Sequence, residues 1–322
     1  MQTILVALGG NAINKPEEEG NINQQFQHSE ETFNQLTDIL LEHPDYQFII
    51  THGNGPQIGN IILRSEYSSS YIYPLPLDVC VSDSEGGMGY MFQQTFYNKL
   101  HEKRIRQEVV TIITQTVVDP QDPAFKNPSK PVGRFYSAEE AQVMSKERGW
   151  IIQEDSGRGY RRMVPSPKPL EIVEINAIES LKDQGFHIIA AGGGGIPVFR
   201  GPQGYLHGVE AVVDKDLASS IIARSIRVDL FIIITAVEKV CLHYNTPRQK
   251  PLDRISLSKA REYLIQGMFS AGSMGPKIQA VIQYLEHYPE GKALITTPEQ
   301  IIPALHHETG TWFYHDKKES AT

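Results

Sequence analysis

Apolar positions along the chain fall into two recurring spacings. Near-continuous apolar runs of strand length occupy residues 3–8, 47–51, 109–118, 187–191, 229–235 and 292–296. Between them, residues 26–41, 170–183, 217–226 and 277–285 carry the three-to-four-residue apolar spacing of helices. Strands that are apolar on both faces belong in a sheet covered on both sides. Their alternation with helices predicts an α/β fold with a mainly parallel sheet. In such sheets ligands collect beyond the carboxyl ends of the strands.

Three of the apolar runs break into glycine at that end: Leu8-Gly9-Gly10-Asn11, Thr51-His52-Gly53-Asn54-Gly55 and Ala190-Ala191-Gly192-Gly193-Gly194-Gly195. A glycine turn brings backbone N–H groups close to an anion because no Cβ stands in the way. One segment interrupts the alternation. Residues 119–169 are rich in Pro, Lys, Arg and Gly, and about 50 residues is too long for a plain connection. They predict an inserted subdomain of hairpins and turns, with a mobile lid as the sharper form of that reading.

The length of 322 residues allows one large or two modest domains with a well-buried core. A formal net charge of −8 argues against a nucleic-acid partner bound by phosphate neutralisation. Cys80 and Cys241 are too few for a disulfide framework or a zinc site and read as buried free thiols of a reducing compartment. No apolar run has the roughly 20 residues of a membrane span, and the N-terminus has no basic start of a signal peptide, so a cytoplasmic location is expected.

Several familiar sites are missing. There is no G-x-x-x-x-G-K-[ST], no G-x-G-x-x-G followed by an acid at dinucleotide spacing, and no H-E-x-x-H. Ala271-Gly272-Ser273-Met274-Gly275 departs from the serine-hydrolase elbow at its first position. Three lysines carry more. Lys215 lies between Asp214 and Asp216 at a helix start, where either acid could equally be a cap. Lys277 follows Ser273-Met274-Gly275-Pro276, a loop turning into a helix whose first N–H groups would favour an anion. Lys130 lies in the insertion, between Ser129 and Pro131. Together with the glycine turns they fit phosphoryl transfer, which needs positioning and fixed positive charge more than a nucleophile.

The residues resemble the amino-acid kinase superfamily and, within it, the carbamate kinases. The matching stretches include Ala7 to Ala12, Thr51 to Gln57, Asn127-Pro128-Ser129-Lys130-Pro131 and Glu154-Asp155-Ser156-Gly157-Arg158-Gly159-Tyr160-Arg161. They continue through Gly192 to Pro197, Gly208 to Asp216 and Gly272-Ser273-Met274-Gly275-Pro276-Lys277, in order over nearly the whole chain. The resemblance implies an open twisted sheet in a single kinase domain, a lid at 119–169 and a homodimer. It implies a carbamate or carbamoyl phosphate site in the part spanning 1–227 and an adenine nucleotide site in 228–322. ATP or ADP and Mg²⁺ are the implied cofactors, with no direct protein ligand to the metal assigned. By the same resemblance, Gly9, Gly10, Asn11, Gly53, Asn54, Gly192, Gly193 and Gly194 surround carbamate and the transferred phosphoryl group. Lys215 and Lys277 stabilise phosphate charge, Asp214 and Asp216 orient Lys215 or assist Mg²⁺, and Lys130 reaches in from the lid. Thr235, Ala236, Val237, Tyr244, Ser273, Met274 and Lys277 line the nucleotide site.

This chain departs from the family in three places. Ser82-Asp83-Ser84-Glu85-Gly86 stands where relatives carry Ala-Met-(Ser/Thr)-Gln-Gly, in what reads as a loop near the dimer-facing side. Ala236 holds a position that is often Asp, and Ala7 holds one where sibling kinases place a lysine. Two other readings stay open at this point: a nucleotide-binding regulatory protein that has lost turnover, supported by Asp83 and Glu85, and a sibling kinase with another substrate.

Overall fold

The structure, a computed structural model, describes residues 1–10, 13, 18–155, 157–270 and 272–316. Among these the strands are β1 (Gln2–Leu8), β2 (Tyr46–His52), β3 (Val109–Thr111), β4 (Gln115–Val118), β5 (Lys130–Tyr136), β6 (Ile152–Glu154), β7 (Tyr160–Val164), β8 (Pro169–Ile172) and β9 (His187–Ile189). They continue as β10 (Ile196–Arg200), β11 (Leu206–Gly208), β12 (Leu230–Ile234), β13 (Cys241–Leu242), β14 (Lys250–Pro251), β15 (Arg254–Ser256), β16 (Lys292–Thr296) and β17 (Thr311–Tyr314). The helices are α1 (Ile22–Glu42), α2 (Gly55–Ser68), α3 (Leu77–Glu102), α4 (Ala138–Arg148), α5 (Ile175–Asp183), α6 (Lys215–Ser225), α7 (Leu257–Ile265), α8 (Met274–His287) and α9 (Ile301–Leu305).

Eight strands form the main sheet in the order β15-β17-β16-β12-β1-β2-β9-β3, parallel throughout except between β16 and β17. Alternate residues of the central strands feed opposite layers. Leu5, Ala7, Phe231 and Ile233 pack with α6 and α8, whereas Ile4, Val6, Ile232 and Ile234 pack with α1 and α3. That two-sided burial is why these strands read as unbroken apolar runs. Both sides of residue 227 contribute to this one sheet, because β1 pairs with β12.

A second, four-stranded sheet has the order β11-β10-β4-β8. The expected single strand over 109–118 is therefore two strands in two sheets. The chain leaves the large sheet after Thr111 and joins the small one at Gln115, a turn that hydrophobicity alone does not mark. The expected helix over 170–183 likewise begins as β8 and becomes helical only at Ile175. The insertion holds the three-stranded sheet β5-β7-β6 and also a helix, α4, closed by a capping box between Ser137 and Glu140. It rests on the core through a separate apolar cluster in which Val132 and Val164 meet Ile58, Ile62, Leu77 and Val81.

The 26-residue α3 has no counterpart in the apolar spacing. It is enclosed on several sides, so its buried face mixes Phe92 and Phe96 with Ser84, Glu85 and Gly89. Residues 82–86 are consequently helix, not loop, and Glu85 is buried at 1% exposure. Cys80 is buried as expected, while Cys241 is only partly so.

Candidate active site

The parallel strands β1, β2, β9 and β12 end along one edge of the main sheet, and the three glycine turns follow three of them. Gly9 lies against the end of β12: an added Cβ would stand 2.6 Å from the Ile234 carbonyl oxygen and 3.8 Å from Thr235 Cα. Gly53 faces the Lys215 side chain, with Cδ 3.7 Å from the same kind of built position and the Gly10 nitrogen at 4.0 Å. Gly193, at φ +67°, packs on the Asn54 amide, and Gly194, at φ +96°, packs on Val213. Only glycine combines those left-handed angles with such close approach. Gly53 thus joins the turn at Gly10 to Lys215, while Gly193 joins the third turn to Asn54 beside it. Asn11 lies outside the described residues.

The lysines are arranged by carboxylates. Asp214 caps α6, its Oδ1 accepting from the Asp216 N–H at 3.0 Å and the Leu217 N–H at 3.3 Å. Its Oδ2 accepts from Lys130 Nζ at 3.1 Å, so the lid lysine reaches the helix cap. Asp216, on the first turn of the same helix, accepts from Lys215 Nζ at 2.5 Å through one oxygen and from Lys277 Nζ at 2.8 Å through the other. Two lysines 62 positions apart are joined by one carboxylate that is 4% exposed. Burial alone would raise the Asp216 carboxyl, but the ammonium groups of Lys215 and then Lys277 outweigh it and hold it at about 2. Burial is also the largest influence on Lys215 and lowers it, against the attraction of Asp216. Asp214 therefore serves Lys130 and the helix cap, and Asp216 takes the orienting role for both Lys215 and Lys277.

The start of α8 differs from the expected anion cradle. The Met274 N–H donates to Ser270 Oγ at 3.3 Å, the Gly275 N–H donates to the Ser270 carbonyl at 2.8 Å, and Pro276 has none to give. Positive charge at this turn comes from the Lys277 side chain. Ser273 precedes the helix without making a side-chain cap, while Met274 packs at the margin of the apolar cluster that contains Phe269. Thr235 follows β12, its N–H donating to the Thr296 carbonyl at 2.9 Å, and Ala236 and Val237 continue into the adjoining bend. Tyr244 stands in an exposed turn, 56% accessible, and no described contact brings it to the lysines. Ala7 is fully buried in β1, so its position brings no cation to the first glycine turn.

A cleft of about 590 Å³ opens between Gly10 and Gly55 on the core and Pro131, Gly133, Arg158 and Arg161 on the lid. A larger cavity, about 790 Å³, lies by Lys292 and Trp312 at the other side of the sheet. The smaller cleft adjoins the first glycine turn through Gly10 and the lid lysine through its neighbour Pro131; Lys215 and Lys277 are not in its lining. Arg158 and Arg161, which a search for lysines passed over, line this cleft, and both sit in the sequence stretch 154–161 that carries the resemblance. His52 was passed over as well. It is buried beneath Gly192, with Nδ1 3.0 Å from the Gly53 carbonyl and Nε2 without a partner, and burial lowers its imidazole to about 4.

Residues 2–295 match the amino acid kinase family. The chain belongs to that family. Within the amino acid kinase family it is 42% identical over 314 residues to the carbamate kinase of Thermococcus kodakarensis, covering 97% of this chain and 98% of that one. It is 43% identical over 310 residues to the carbamate kinase of Pyrococcus furiosus, covering 96% and 98%. In three dimensions it is similar to the carbamate kinase of Giardia lamblia bound to AMP-PNP, with a TM-score of 0.91, 39% identity and coverage of 98% and 99%. The match extends over the lid and both sheets as well as the kinase core.

Proposed function

We infer that the protein is a carbamate kinase, transferring a phosphoryl group reversibly between ATP and carbamate, with ADP and carbamoyl phosphate on the other side. The observation that carries this reading is the Lys215–Asp216–Lys277 arrangement beside three glycine turns at the strand ends. Each ammonium has three N–H donors, and Asp216 engages one from each, so both lysines keep donors for phosphoryl oxygens. Two positive charges fixed by a buried carboxylate require no reorganisation when charge spreads over the transferring group. Turn N–H groups from Gly10 and Gly193 would orient the carbamoyl end, while those of Gly53, Gly192 and Gly194 donate to the Leu8 carbonyl, Glu85 and the Ala191 carbonyl and hold the turns in shape. The lid would bring Lys130, Arg158 and Arg161 over the carbamoyl end and exclude water.

The family resemblance puts the nucleotide on the C-terminal side, between the bend at 235–237 and Met274; the Giardia relative binds AMP-PNP. The carboxylate oxygens fit a nucleotide-borne Mg²⁺ rather than a protein-caged one. Both oxygens of Asp216 and both of Asp214 already accept hydrogen bonds from protein groups. Their remaining lone pairs could take metal-bound water. The ion would supply charge neutralisation at the β- and γ-phosphates. A cytoplasmic homodimer completes the proposal. Among the described residues no helix is long and apolar enough to cross a membrane. Tyr90 and Tyr97 on α3 and Ile113 beside the edge strand β3 are exposed together.

The deciding assay is ATP formation from ADP and carbamoyl phosphate with Mg²⁺, with acetyl phosphate for comparison and light scattering for the dimer. Failure to form ATP would reject the assignment. Lys277→Ala should lower kcat by on the order of 10²–10³, the usual effect of removing one charge-stabilising donor.

A further inference from the structure

Glu85 lies where the chain passes twice, side by side, from the large sheet into the small one. The first passage, 112–114, follows β3, and the second, 190–195, follows β9 and makes the glycine turn. Glu85 Oε1 accepts from the Gly192 N–H at 3.1 Å, and both carboxyl oxygens lie 3.2 Å from the Thr114 N–H. One side chain on α3 therefore ties both passages together. Thr114 Oγ1 accepts from the Ala191 N–H at 2.9 Å, and Thr116 Oγ1 donates to the Gly194 carbonyl at 2.7 Å, so the turn is laced to the first passage along its length. A Cβ on Gly192 would stand 3.0 Å from Glu85 Cγ and 2.5 Å from His52 Nε2, which places the carboxyl directly under the substrate turn.

The charges around Glu85 do not favour an anion. Among the described residues it makes no ion pair. From β2 it faces His52, a neutral imidazole whose Nδ1 is turned to the Gly53 carbonyl. From the start of α5 it faces Glu174, a like charge occupied with the Gln115 N–H at 2.7 Å. Lys215 on α6 lies beyond Gly53 and is held by Asp216, and Asp83 on the same helix points to solvent.

We propose that Glu85 is a positioning residue that holds the Gly192–Gly194 turn in its phosphoryl-binding shape as the neutral acid, so that losing its proton leaves a buried charge with no counter-ion among the described residues, which draws water into the junction, slackens the turn and slows phosphoryl transfer. Burial supports this by pushing the carboxyl up to about 8, against the two N–H groups that pull it down. The neutral acid reproduces the shape and acceptor oxygen of the glutamine that the family resemblance places here. This chain would thereby carry an alkaline limit on activity that a glutamine does not impose. The proposal rests on the kinase reading for its effect on rate, but not for its effect on stability.

The test compares the full-length protein with Glu85→Gln, which keeps an acceptor oxygen and cannot ionise. In kcat/KM for carbamoyl phosphate, the wild type should fall about tenfold per pH unit above pH 8, while the variant stays level there. Thermal melts give an independent readout. A carboxyl raised on folding destabilises progressively as pH climbs from its unfolded value near 4.5 to its folded value of about 8. The melting temperature of the variant should therefore pull ahead of the wild type over that interval and keep a constant lead above it. Superimposable pH–rate profiles, or a lead that does not change with pH, would overturn the proposal. If neither protein makes ATP at any pH, the kinase reading fails while the melts still decide the protonation of Glu85.

Discussion

Asp216→Asn is the sharpest probe of the charge arrangement. The substitution keeps size and shape but removes the negative charge that lies 2.5 Å from Lys215 Nζ and 2.8 Å from Lys277 Nζ. Asn can accept from one ammonium but turns an NH₂ towards the other. Holding the carboxyl at about 2, from an ordinary 3.8, corresponds to about 2 kcal/mol of stability at neutral pH. That contribution is present above pH 3.8 and is lost as pH falls through about 2, because the folded value is the lower one. Leaving a buried ammonium uncompensated adds to the loss, and broken buried pairs commonly cost about 3–5 kcal/mol in all. Urea unfolding at pH 7 should place the variant in that range below wild type. The kinetic consequence has its own sign. Burial already lowers Lys215, and without Asp216 nothing opposes it as strongly, so Lys215 should give up its proton at lower pH. The ATP-forming assay should then show kcat reduced on the order of 10²–10³, with an alkaline decline that starts earlier than in wild type. A variant within about 0.5 kcal/mol of wild type and within threefold in kcat would refute the claim that one buried carboxylate organises both lysines.

Two further perturbations separate catalytic from structural roles. Lys130→Ala removes a lid side chain that is 42% exposed, so stability should change by less than about 1 kcal/mol while kcat falls clearly; equal kcat would take Lys130 out of the site. Tyr284→Phe removes the buried hydroxyl that donates to the Val228 carbonyl at 2.5 Å, and should cost about 1–3 kcal/mol in urea melts with kcat unchanged.

What the sequence disclosed follows from how each element is buried. β1, β2, β12 and β16 are enclosed by helices on both faces, and their unbroken apolar runs made them legible. The segment 109–118 is just as apolar, yet it divides between two sheets because Glu85 and Ile189, both distant in sequence, bind its midpoint. α3 escaped notice because it is wrapped by α1, α2 and both sheets, which replaces a one-sided stripe with glycines and buried polar residues. The lysines stood out through their Asp, Gly and Pro neighbours. Their partners did not: adjacency joins Asp214 to Lys215, but in space Asp214 belongs to Lys130 and Asp216 belongs to both Lys215 and Lys277.

The fifty-residue lid leaves and rejoins the core at a single rung. Val118, the last residue of β4, pairs with Pro169, the first of β8, so the ends of the excursion are fixed as neighbours by the small sheet. The cost of bringing those ends together rises only slowly with the length of the chain between them. That junction makes the lid an exchangeable module. Its length and outer surface can diverge while Lys215, Lys277, their shared carboxylate and the glycine turns stay folded, provided that Lys130 keeps its place against Asp214.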